Sequence, residues 1–180
     1  MTRALIIIDI QRDYFAGGAL PLVEPDAAAT AAHAVLESFR ASGEPVVHIF
    51  HVATDPAATF FLPGTPGIEI HPLVTPLDGE IVLEKHQPNS FIGTDLANVL
   101  ANTGADELVV VGMMSSMCVD STVRAAAEHG FTVTVVHDAC AAPDLTFGHT
   151  VIPGATVHAS FMAALHGSFA TVVPSAALVS

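Results

Sequence analysis

Two unbroken apolar runs constrain this chain more than anything else in it: Leu5 to Ile8 leading into Asp9, and Leu108 to Val111 leading into Gly112. A strand with one wet face alternates apolar and polar residues, so a run without alternation belongs to a strand covered on both faces, at the centre of a parallel sheet. Strands are expected at Arg3 to Asp9, Pro45 to Val52, Glu80 to Lys85, Glu107 to Gly112, Phe131 to His137 and Ala170 to Val173. Helical patterns lie between them at Pro25 to Ser42, Gly93 to Asn102, Met117 to His129 and Gly154 to Leu165. This alternation predicts an α/β three-layer sandwich, a six-stranded parallel Rossmann-like sheet wrapped by helices, as a single domain over residues 1–180. The stretch from Ala53 to Leu77 holds Pro56, Pro63, Pro66, Pro72 and Pro76 with Gly64 and Gly67, and is read as a long ordered loop that shapes a site.

Charge narrows the partners. Five basic residues, Arg3, Arg12, Arg40, Lys85 and Arg124, face 18 acidic ones for a formal net charge of -13. Scattered single cations do not form the basic patch that nucleic acid or an anionic membrane surface demands, so neither is expected as a partner. No apolar run approaches the ~18–20 residues of a membrane-spanning helix. A mean hydropathy of +0.57 is high for a soluble chain, and a homo-oligomer, dimer or tetramer, is the expected way of covering the surplus apolar surface. Two cysteines make no disulfide framework and Met1 to Ile10 lacks a signal-peptide pattern, which predicts a cytoplasmic protein.

Ligands of open α/β sheets bind beyond the carboxyl ends of the strands. Asp9 ends the first strand, Lys85 ends the third and is the only lysine in the chain, and Cys118 follows the fourth at the opening of a helix. A cation and a helix N-terminus both favour the thiolate, which makes an ionised Cys118 the expectation. Asp9 can exchange a proton with the thiol and later with a departing amine. Backbone N–H groups in the turn from Gly112 to Cys118 are candidates for an oxyanion hole. Cys140 has no such company and reads as packing. His48 and His51, three apart on one strand, point to opposite faces, and His51 at the carboxyl end is the better substrate contact. Phe15 and Phe91, which closely follow the first two motifs, are candidate pocket walls, and Gln11 a candidate for orienting the triad or contacting substrate.

The segments IIIDIQRDYFAGGALPL, VLEKHQPNSFIGTDL and VVVGMMSSMCVDSTVRAAAEHGF, followed by VTVVHDACAA, resemble the isochorismatase-like cysteine hydrolases, among them nicotinamidases and related amidases. The resemblance covers nearly the whole chain. It implies a triad of Asp9, Lys85 and Cys118, attack of the cysteine on an amide carbonyl, and hydrolysis of the resulting thioester by water. It also implies a cis peptide between Met113 and Met114 that aims the amides of Met114 and Cys118 at the oxyanion. The chain departs from the nicotinamidases, which hold a metal through an Asp-x-His motif. Here HIFHVATDPAATFF places His48, His51 and Asp55 outside that spacing, so no metal and no other cofactor is expected, and nicotinamide is not the favoured substrate. True isochorismatases cleave a vinyl ether without the cysteine. Cys118 therefore favours a small-molecule amide, with a redox-active thiol protein and an isochorismatase-type hydrolase of a non-amide substrate as alternatives.

Overall fold

A computed structural model describes residues 2–179. Its main sheet has six strands, all parallel: β1 (Arg3–Ile8), β2 (Val46–His51), β3 (Ile81–Lys85), β4 (Glu107–Met113), β5 (Thr132–Ala141) and, after a hairpin described below, β8 (Thr171–Val173). They lie in the order β3-β2-β1-β4-β5-β8, so β1 and β4, the strands with unbroken apolar runs, sit side by side in the middle. Leu5 and Ile7 pack on one face with Val109, Val111 and helix α1 (Pro25–Ser42), through Ala29, Ala32, Leu36 and Phe39. Ala4, Ile6 and Ile8 pack on the other with Leu108, Val110 and three helices, α2 (Leu96–Thr103), α3 (Asp120–Glu128) and α4 (Gly154–Leu165). The period-2 geometry of a strand sends consecutive residues to opposite faces, and apolar residues at both parities are what two helical layers require.

Local chemistry sets the helix ends. Pro25 occupies the first turn of α1, where its missing N–H costs nothing, and Gly43 ends the helix at φ 69. The loop between β2 and β3 is not wholly irregular. Short 3-10 turns form at Pro66–Ile68 and Pro72–Val74, each with its proline in the first turn. Three further boundaries differ from the sequence-based expectation. The segment expected to open a helix at Met117 is a π-turn, Ser115–Val119, and only then α3. Strand β5 runs on to Ala141 because a bulge between Val110 and Gly112 resets its register, pairing Gly112 with Cys140. An antiparallel hairpin, β6 (Leu145–Phe147) and β7 (Thr150–Ile152), stands outside the main sheet; its two-residue turn, Gly148 and His149, is short and its strands are only three residues each, too brief for an alternation signal.

Candidate active site

Parallel register brings the reactive residues to one edge. Ile8 pairs with Ile49 and with Gly112, and His51 pairs with Lys85, so the carboxyl ends of β1, β2, β3 and β4 deliver Asp9, His51, Lys85 and the turn to Cys118 together. Asp9 leaves β1 at φ 50, a left-handed conformation that aspartate tolerates better than most residues, with its N–H on the Ile49 carbonyl at 2.9 Å. Gly112, at φ 138, lies so close to β1 that a Cβ there would overlap the Ile8 carbonyl. Past it the Met113–Met114 peptide is cis, and the N–H groups of Met117 and Val119 close the turn on the Met114 carbonyl at 3.1 and 3.2 Å.

Lys85 holds the centre. Its Nζ lies 2.7 Å from Asp9 Oδ2, and it donates toward His51 Nδ1 at 3.0 Å, the Gln87 carbonyl at 3.1 Å and Cys118 Sγ at 3.3 Å. Four acceptors share three N–H bonds, so one is always short of a proton. The shortest of the four contacts is the ion pair with Asp9, whose buried carboxylate has Lys85 and Cys118 as its side-chain partners. Asp9 and Lys85 have no solvent exposure and Cys118 is 3% exposed.

Electrostatics follows from this dryness. Burial pushes the Asp9 carboxyl up, with the Lys85 charge pulling against it. Burial opposes the Lys85 ammonium, but the Asp9 charge, with the hydrogen bonds to Asp9 and Cys118, outweighs it and raises the lysine. The Cys118 thiol is pushed far up, by burial first and the Asp9 charge second, against the pull of Lys85. The resting sulfur is therefore a thiol, which corrects the expectation of an ionised cysteine: desolvation beside a carboxylate outweighs one ammonium. His51 is held down to about 4 by burial and then by Lys85, so it is neutral; because an ammonium only donates, Nδ1 accepts and the ring proton sits on Nε2.

The other expected contacts divide. Gln11 is buried and spends its whole amide on backbone, donating to the carbonyls of His51 and Ile68 at 2.9 Å each and accepting from the His51 N–H at 2.8 Å. It clamps the end of β2 to the loop and has no group left for a substrate. Phe91 is not at the site, since its ring packs on His129 (4.7 Å) and Phe131 (6.4 Å), at the far end of α3 from Cys118. Phe15 stacks on His71 at 4.0 Å, and the pair walls a cavity of about 720 Å³ with Arg12, Gly17, Thr59 and Pro66. No triad residue lines that cavity. His48 turns away from the site onto Glu80 at 2.8 Å, while the His51 ring stacks on Phe61 at 5.7 Å. Cys140 is buried with its sulfur on the Val136 carbonyl at 3.3 Å. The contact of His51 with Lys85 escaped sequence reasoning, and its only signal was that both residues end neighbouring strands. A bound metal does not fit the residues present. Asp9, His51 and Cys118 hold ligand atoms within 4.8 Å of one another, but the Lys85 ammonium stands among them.

A parallel α/β sandwich with a buried carboxylate, ammonium and thiol at its strand ends defines a class, and comparison with known proteins says which. The chain belongs to the isochorismatase family, whose Isochorismatase domain matches residues 3–176. It is 51% identical to the uncharacterized isochorismatase family protein YddQ of Bacillus subtilis over 96% of each chain. A crystal structure from Oleispira antarctica, described as an isochorismatase hydrolase, superposes with a TM-score of 0.95 at 47% identity, covering 99% of this chain and 96% of that one. The maleamate amidohydrolase of Pseudomonas putida is 31% identical over 75% of this chain and 70% of its own.

Proposed function

We propose that this protein is a cysteine hydrolase that cleaves the C–N bond of a small carboxamide through a thioester on Cys118. The observation that carries the reading is the Asp9 carboxylate: fully buried, and grouped with a neutral thiol around one ammonium. A family relative named for amide hydrolysis supports the same bond type.

In this reading Asp9 takes the thiol proton as Cys118 Sγ attacks the carbonyl carbon, and Lys85 steadies the sulfur while its charge develops. The carbonyl oxygen becomes an oxyanion facing the amides of Met114 and Cys118. Collapse breaks the C–N bond, Asp9 returns its proton to the departing nitrogen, and ammonia or an amine leaves. Water then attacks the thioester, giving its proton to Asp9, and the acid leaves as Asp9 reprotonates the sulfur. The neutral His51, fixed by Lys85 as an Nε2–H donor, is the side chain we assign to substrate orientation.

The test is ammonia release from a panel of primary amides. Turnover of at least one, falling by at least ~10³-fold in Cys118→Ala and in Asp9→Asn, is the expected outcome. Ammonia from none of them, beside rapid peroxide reduction, would replace this reading with the redox one. That rival has little in the geometry, since Cys140, the other cysteine, is buried with its sulfur on the Val136 carbonyl. Free cysteines fit a reducing, cytoplasmic setting. Self-association is proposed as well, through the hairpin where Phe147 is 82% and Val151 63% exposed.

A further inference from the structure

A carboxylate oxygen of Asp9, an imidazole nitrogen of His51 and the sulfur of Cys118 lie within 4.8 Å of one another. These three donor types are ones that zinc accepts together. Lys85 Nζ stands among them, 2.7 Å from the oxygen, 3.0 Å from the nitrogen and 3.3 Å from the sulfur. The ammonium is where a metal would be. A second observation points the same way: both Asp9 oxygens are fully buried, in a dry pocket whose cation is the Lys85 ammonium.

We propose that the candidate catalytic centre is a soft-metal site whose resident cation is Lys85. The tethered ammonium neutralises Asp9 as an ion would and keeps divalent cations out, yet leaves the sulfur free to attack, whereas a bound metal would consume it as a ligand. Without the ammonium, Asp9, His51 and Cys118 take up Zn²⁺ or Co²⁺, with water in a fourth position and the thiol proton released to solvent. The ligand atoms would close in by roughly 0.6 to 1.0 Å from their distances to Nζ to reach zinc bond lengths, a shift that side-chain rotation supplies.

The experiment is a Co²⁺ titration of purified wild type and Lys85→Ala, read by the near-ultraviolet thiolate-to-cobalt charge-transfer band and the visible bands of four-coordinate cobalt. Lys85→Ala should bind at least ~100-fold more tightly than wild type, because an ammonium and a dication repel each other across this low-dielectric space. The charge-transfer band should vanish when Cys118→Ser is added. If Lys85→Ala does not fold, Lys85→Ser, whose hydroxyl can donate to Asp9, carries the test, with Zn²⁺ expected to raise its Tm and to leave that of wild type unchanged. A folded Lys85 variant with no charge-transfer band, or a wild type that binds Co²⁺ as tightly as the variant, would overturn the proposal. None of these readouts uses a substrate, so this inference and the hydrolase reading can fail separately.

Discussion

Asp9→Asn should separate two properties of the candidate site that usually fall together. The substitution keeps the shape of the side chain and removes a charge no more than 4.8 Å from Cys118 Sγ. At an effective dielectric of about 20, a unit charge at that distance is worth about 3 kcal/mol against the thiolate, or about 100-fold in its population. The Asp9 charge is among the causes that hold the thiol up, second only to burial, and without it the Lys85 ammonium at 3.3 Å is opposed by burial alone. Asp9→Asn should therefore be alkylated by iodoacetamide at least ~10-fold faster than wild type at neutral pH, while its amide hydrolysis collapses for want of a proton carrier. The pH dependence carries a second signature. In wild type the thiol proton has Asp9 to go to, so alkylation should vary little around neutrality; in the variant it must go to solvent, and the rate should rise with pH. The assay is pseudo-first-order alkylation followed by intact mass, with Cys118→Ala to subtract any reaction at Cys140. A variant alkylated at the wild-type rate or more slowly, with a wild-type pH profile, would refute the reasoning that Asp9 holds the thiol protonated.

Two further outcomes concern the scaffold. Arg40, hydrogen-bonded to Glu80 at 2.7 and 2.8 Å, holds that carboxyl down to about 2 from an ordinary 4.5. A depressed carboxylate contributes stability that is present above its unfolded value and lost as pH falls through its folded one. Urea midpoints of wild type should thus fall between pH 4.5 and about 2, while Glu80→Gln should lose about 2 kcal/mol at pH 7 and show a flatter curve over that window; parallel curves would contradict the assignment. Gly112→Ala would drive a Cβ into the Ile8 carbonyl at φ 138, so we expect a loss of 3 kcal/mol or more, roughly, in chemical denaturation, and a change below about 1 kcal/mol would show that β1 and β4 can part there without disturbing Asp9.

The layers of this fold were legible because they rest on local patterns. Unbroken apolar runs at β1 and β4 announced a sheet covered on both sides, and Pro25 with Gly43 bracketed the first helix. What misled was equally physical. Met117 to His129 has the apolar spacing of a helix throughout, yet its first residues belong to a π-turn, because the N–H groups of Met117 and Val119 both bond to the Met114 carbonyl. Phe91 follows the lysine motif closely in the chain, but a ring's position depends on what packs beside it, and that was His129 and Phe131.

By itself the sequence determined which groups stand at strand ends: a carboxylate after β1, the only lysine at the end of β3, a cysteine after β4. It could do so because a strand's length and direction are written in consecutive residues. The tertiary structure decided the rest. The order β3-β2-β1-β4 made His51 a neighbour of Lys85, turned Gln11 into a backbone clamp and buried all three reactive groups together, and burial, a property of the assembled layers, is what keeps the sulfur protonated. Desolvation is summed over everything within several ångströms, and no stretch of sequence, however clear its motif, contains that sum.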